Sequence, residues 1–401
     1  MLALGLTAGA CGGNSKTDNA AADSHGNHSA TTAAAGAGGG IDTGASSLQS
    51  ALTSLLQEHV YLAGIATGTA LGGGDLKPAA AALEKNTQGL QDAIASVYGD
   101  AGGKQFGDLW RKHIGFFVDY TTGKATKNQA MIDKAKADLD GYRADFGAFI
   151  ESATKGGLPK QAVADELKPH VETLFAAIDA QASKDPAQFD KLKTAADHMP
   201  MTASILAGAI AKQFPDKFSG SVDAPAAKLR QGLTSLLQEH VYLAGIATGT
   251  ALGGGDLKPA AAALEKNTQG LQDAIASVYG DAGGKQFGDL WRKHIGFFVD
   301  YTTGKATKNQ AMIDKAKADL DGYRADFGAF IESATKGGLP KQAVADELKP
   351  HVETLFAAID AQASKDPAQF DKLKTAADHM PMTASILAGA IAKQFPDKFG
   401  G

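Results

Sequence analysis

The chain repeats itself. Residues 52–218 recur, residue for residue, as 233–399, so that His59 returns as His240 and Trp110 as Trp291. Solenoid and propeller periods run to roughly 20–50 residues, and this unit is far longer. Each copy therefore has the size of a self-contained domain. The duplication divides the chain into a front segment, 1–46, a first copy, 47–218, a connector, 219–232, and a second copy, 233–399. Whatever one copy folds into, the other must be able to fold into as well. Any site built by one copy is expected twice.

The front segment reads as an export and tethering device. Residues 1–10 (MLALGLTAGA) are apolar and lead to Cys11, the only cysteine of the chain. A lone cysteine excludes an intrachain disulfide framework and a Cys-based zinc or iron–sulfur site. The run Leu-Thr-Ala-Gly-Ala-Cys resembles a bacterial lipobox, with Ala8 where Leu is usual. The basic n-region of a signal peptide is missing, so the true start is expected upstream of Met1. Residues 12–46 are rich in Gly, Ala, Ser, Thr and Asn, a composition suited to a flexible tether. The expectation is lipidation at Cys11 and anchoring to the outer face of a bacterial cell membrane. His25 and His28 fall in this tether.

Composition narrows the rest. With 44% hydrophobic residues the copies can build packed cores. A net charge of −5 with interspersed signs argues against a nucleic-acid partner held by a basic surface. No run of apolar residues is long enough to span a bilayer as a helix.

Gly/Pro punctuation cuts each copy into six expected helices, near 47–71, 76–98, 101–122, 127–153, 159–183 and 185–214 in the first. Gly99 and Gly123 are read as stops, and Asp100 as an N-cap. No segment alternates like a strand. Each helix carries an apolar seam at spacings of three and four, such as Ile132, Ala135, Leu139, Tyr142 and Phe146 in the fourth. The fold class is therefore all-α, two tandem antiparallel helical bundles behind the tether.

Three seams carry a histidine near mid-helix: His59, His113 and His170. The fourth histidine of the copy, His198, lies one position off the sixth seam, in the run His198-Met199-Pro200-Met201. Bundle cores build metal sites from side chains on facing helices. Imidazole suits Zn, Cu, Fe and Ni, and thioether adds a preference for Cu(I). The prolines Pro169 and Pro200 lack an N–H and are expected to kink their helices beside His170 and His198. The candidate ligands are thus His59, His113, His170 and His198 with Met199 or Met201. In the second copy they are His240, His294, His351 and His379 with Met380 or Met382. A cofactor-free core is the competing explanation. There the histidines are neutral, and Asn86, Tyr142, Tyr120 or Tyr61 supply their hydrogen bonds. Asn86 and Asn267 are expected as buried polar residues. The Glu-x-x-His pairs of di-iron bundles are absent, as are nucleophile and phosphate-binding motifs, so the chain reads as a binding protein rather than an enzyme.

The run Gln57-Glu58-His59-Val60-Tyr61, followed by Leu83-Glu84-Lys85-Asn86, Tyr98-Gly99 and Phe106-x-x-Leu109-x-x-x-His113-Ile114, resembles a family of small exported helical proteins of bacilli and other Gram-positive bacteria. The likeness covers most of the first three helices of each copy. It departs after His59, where Tyr61-Leu62-Ala63 replaces a Trp/Arg pair. It groups His59, Asn86 and His113 and implies no activity. The reading from sequence is an exported, lipid-anchored helical protein that binds a transition metal, copper first. A cofactor-free surface or spacer module is the first alternative, and b-type haem held by two of the histidines the second. No protein partner follows from the sequence.

Overall fold

The computed structural model describes residues 41–400. Among them there is no strand, and the first copy forms α1 (Gly44–Leu71), α2 (Leu76–Thr126), α3 (Gln129–Ala153), α4 (Lys160–Ser183), α5 (Gln188–Asp197) and α6 (Met199–Gln213). The second forms α7 (Pro225–Leu252), α8 (Leu257–Thr307), α9 (Gln310–Ala334), α10 (Lys341–Ser364), α11 (Gln369–Asp378), α12 (Met380–Gln394) and a terminal turn, α13 (Pro396–Phe399). Cys11, His25 and His28 lie outside the described residues.

Local chemistry sets the helix ends. The Thr43, Asp75 and Asn128 side chains accept from the orphan N–H groups of Ser46, Lys77 and Met131 at the starts of α1, α2 and α3. Three boundaries differ from the sequence reading. The expected second and third helices run on as one element, because Gly99 alone leaves the helical region, at φ 80° and ψ 169°, and the chain resumes its helix at once. That conformation belongs to glycine, which has no Cβ to clash. The helix also passes through Gly123 and ends four residues later than expected, at a left-handed Lys127. The expected sixth helix is cut in two at His198. Pro200 supplies no N–H to the Ala196 carbonyl, which is met instead by the N–H of His198. Pro169, by contrast, stays inside an unbroken α4.

Helix α1 is the axis of its copy. Residues 56–64 are buried without a gap, which a surface helix with one apolar stripe could not show. It is wrapped by α2, α4, α5 and α6 of its own copy and by α7 of the other. Close approach is needed on its α5 side, where a Cβ on Gly64 would lie 2.4 Å from Leu192 Cδ1. Helices α7 and α1 start at equivalent positions although their first turns differ in sequence (PAAKLRQG against GASSLQSA). Most of the stretch 219–232, read from sequence as a connector, is therefore the opening of α7.

The copies pack as parts of one compact body. A single apolar cluster runs from Leu56, Leu62 and Phe146 of the first copy to Leu237, Leu243 and Phe327 of the second. Each copy keeps a smaller cluster of its own, around Tyr120, Leu139 and Leu174 in the first and their equivalents in the second.

Candidate metal centre

Helices α1, α2 and α4 each bring one histidine to a common point. His59, His113 and His170 are buried, and each offers a ring nitrogen such that the three atoms lie within 4.8 Å of one another. His59 Nε2 and His113 Nε2 are 3.3 Å apart. Two imidazole nitrogens bound to one ion at roughly 2.0–2.1 Å and a tetrahedral angle would be separated by about 3.3–3.4 Å, so this pair already stands at ligand spacing. The second copy repeats the arrangement with His240, His294 and His351, and the same 3.3 Å contact.

The walls are aromatic. Trp110, one turn before His113, sits edge-on to both His59 and His113, with centroids 4.9 and 4.5 Å away. Tyr142 of α3 stacks on His113 at 5.1 Å, and Phe117 stands edge-on to His113 and His170. A narrow apolar cleft between α1, α2 and α4, lined by Ala63, Ala66, Leu174 and the exposed Val118, reaches His59. Its counterpart in the second copy reaches His240.

This environment holds the imidazoles neutral. Burial is the main cause throughout, because a charged ring loses its hydration. It pushes His59 down to about 3, helped by the charge His170 would carry. It pushes His170 down to about 4, helped by His198. His113 lies well below the usual range through burial and its two neighbours, opposed only by a backbone interaction with Trp110. Neutral imidazole is the form that ligates metal.

The partners expected for a cofactor-free core do not reach the triad; His59 and His113 bond only each other through Nε2, at 3.3 Å, and in the second copy the Trp291 indole N–H also donates to His240 Nδ1 at 3.3 Å. Asn86 is buried as expected, but its amide donates to the Leu55 carbonyl and Glu58; Asn267 does the same with Leu236 and Glu239. Tyr120 donates to Asp179 and Tyr61 to Glu239. The Tyr142 hydroxyl has no partner. Most telling is His170, with neither Nδ1 nor Nε2 bonded to protein, and His351 repeats this. Buried polar atoms are almost always satisfied. Two unmet nitrogens on one buried ring, beside two further imidazoles, fit a donor set for an ion.

The structure brings together three of the four candidate histidines of each copy and holds the fourth apart. His198 Nε2 lies 3.1 Å from Glu166 Oε1 and donates toward the Glu166 carbonyl at 3.3 Å, docking on the turn of α4 just before Pro169. His379 does the same with Glu347. Met201 and Met382 face outward, each 51% exposed, which takes them out of the ligand set. Met199 and Met380 are buried in the apolar core at the starts of α6 and α12. Sequence reasoning passed over Trp110, although its position three residues before His113 places it on the same helix face. It also passed over Glu58, which no seam rule marks.

The fold and site define a class: an all-helical protein carrying a duplicated, buried three-histidine centre. No family model, no curated protein and no solved structure matches the chain.

Proposed function

We propose that the protein binds one transition-metal ion in each copy, through His59, His113 and His170 and through His240, His294 and His351, and that copper in its monovalent state is the preferred ion. The observation that carries the reading is the converging triad with both nitrogens of His170 unpartnered. The choice of ion follows from charge. All three ligands are neutral, the walls are apolar, and the penalty for burying an ion rises steeply with its charge. A monovalent, nitrogen-seeking ion therefore suits the site better than a divalent one. Zinc, which also takes three histidines and a fourth open position, is the next candidate. Haem fits poorly, because the rings of His59 and His113 are already in contact and leave no gap for a macrocycle.

Calorimetric titration with Cu(I), Cu(II) and Zn(II) tests the reading on untagged protein. Wild type should take two equivalents and His113→Leu one. Absence of saturable binding to all three ions would reject it in favour of a cofactor-free module. We further propose that Cys11 is lipidated and places the protein on the outer face of the cell membrane, a reading supported by the lone cysteine, the apolar run before it and the tether after it. Labelled palmitate should enter the wild type and not Cys11→Ser; equal labelling of both would overturn this.

A further inference from the structure

The contacts between the copies are reciprocal. Tyr61 donates to Glu239 Oε1 at 2.7 Å, and Tyr242 donates to Glu58 Oε2 at 2.9 Å. Lys193 meets Glu239 at 3.1 Å, and Lys374 meets Glu58 at 2.9 Å. At the rim, Lys85 pairs with Asp371 and Lys266 with Asp190, both at 2.7 Å. The Gln57 amide donates to Ser235, and that of Gln238 to Ser54, both at 3.0 Å. On the axis the rings of Tyr61 and Tyr242 stack nearly parallel, with centroids 5.3 Å apart and an interplanar angle of 6°. In each pair, a residue of one copy touches the counterpart of the residue that touches it. That is the pattern of an isologous, two-fold interface between identical subunits.

From this we infer that the face of the unit bearing Gln57, Glu58 and Tyr61 is a self-docking surface. Its partner is a second copy of the same unit, and the tandem chain is a symmetric dimer joined end to end. The chemistry explains why a unit is incomplete alone. Glu58 is 1% exposed, and its own copy supplies only the Asn86 amide; its lysine and its tyrosine both come from the other copy. A lone unit would leave the Tyr61 ring uncovered and Glu58 without its lysine and its tyrosine. A second unit stacks on the ring and returns both partners, on both sides at once. The first two turns of α1 and α7 break the symmetry, through Gln49 to Gln231, Arg230 to the Ile41 carbonyl and Ala45 to the Ser219 carbonyl.

The test starts from the full chain, with a protease site placed in the half-exposed stretch 221–224 and cut after folding. Native mass spectrometry reads the products, since the halves differ in mass. The expected result is a pair of halves that stays together and, on prolonged incubation, exchanges into first–first, first–second and second–second pairs. Tyr61→Ala with Tyr242→Ala in the cut chain should weaken the pairing at least tenfold. Separation of the cut halves that keep both tyrosines into folded monomers would overturn the inference. So would persistence of the first–second pair alone, which would assign the association to the unlike first turns.

Discussion

Replacing both His170 and His351 by leucine separates a ligand from a merely buried ring. Each imidazole carries one donor and one acceptor with no protein partner. An unmade hydrogen bond at a buried group costs about 1–3 kcal/mol. Leucine removes both groups and keeps most of the volume, at a shape penalty of up to about 1.5 kcal/mol. The metal-free variant should therefore be more stable than wild type, by at least about 0.5 kcal/mol per copy, two groups at about 1 kcal/mol or more each less the shape penalty. With metal the order should reverse. At a free ion concentration of about 1,000 Kd, wild type gains about 4 kcal/mol per site by mass action, and the variant gains nothing. Urea unfolding followed by circular dichroism, with and without Cu(I) under reducing conditions, reads both halves of this crossover. A metal-free variant less stable than wild type would show that His170 is satisfied within the fold. Equal stabilisation of both proteins by metal would move the site elsewhere.

Three further outcomes are expected. His59 and His170 titrate at about 3 and 4 when folded against 6.5 in the unfolded chain, so between those values the unfolded state binds more protons, and stability should fall as pH drops from 6.5 toward 3. Glu58 and Glu239, raised to about 7 by burial, work in the opposite sense between 4.5 and 7, but they are two groups against six imidazoles, so they blunt the acid loss without cancelling it; a flat urea midpoint from pH 6.5 to 4 would contradict the neutral triads. Lys374→Met should cost about 3–5 kcal/mol at pH 8 and less at pH 6, where Glu58 escapes by taking up a proton, and adding Glu58→Gln should recover most of the loss; a pH-independent cost would refute the pairing. Gly99→Ala should destabilise by about 1–3 kcal/mol through the backbone alone, since a Cβ there meets nothing within 4 Å; a loss under about 0.5 kcal/mol in thermal unfolding would show that the kink relaxes.

Much of the site was legible as a list. The spacing of apolar residues placed His59, His113 and His170 on inward seams, because the helical period fixes which face a residue occupies. It could not exclude His198, whose one-position offset turns it toward Glu166, nor show that Met201 points to solvent while Met199 does not. Those are matters of where Pro200 breaks the helix and how α6 is then aimed.

The sequence by itself determined the helical class, the caps, the punctuation and the doubling of everything in the chain, since these rest on local backbone preferences and on identity. Tertiary structure decided the rest. Whether Gly99 ends a helix or only kinks it depends on what the next segment packs against. Whether three histidines on three helices meet depends on the packing of α1, α2 and α4. And the pairing of Glu58 with Lys374, far away in the chain, arises because a buried carboxylate takes whichever cation the fold brings to it. No periodicity within one copy could reveal that the cation belongs to the other.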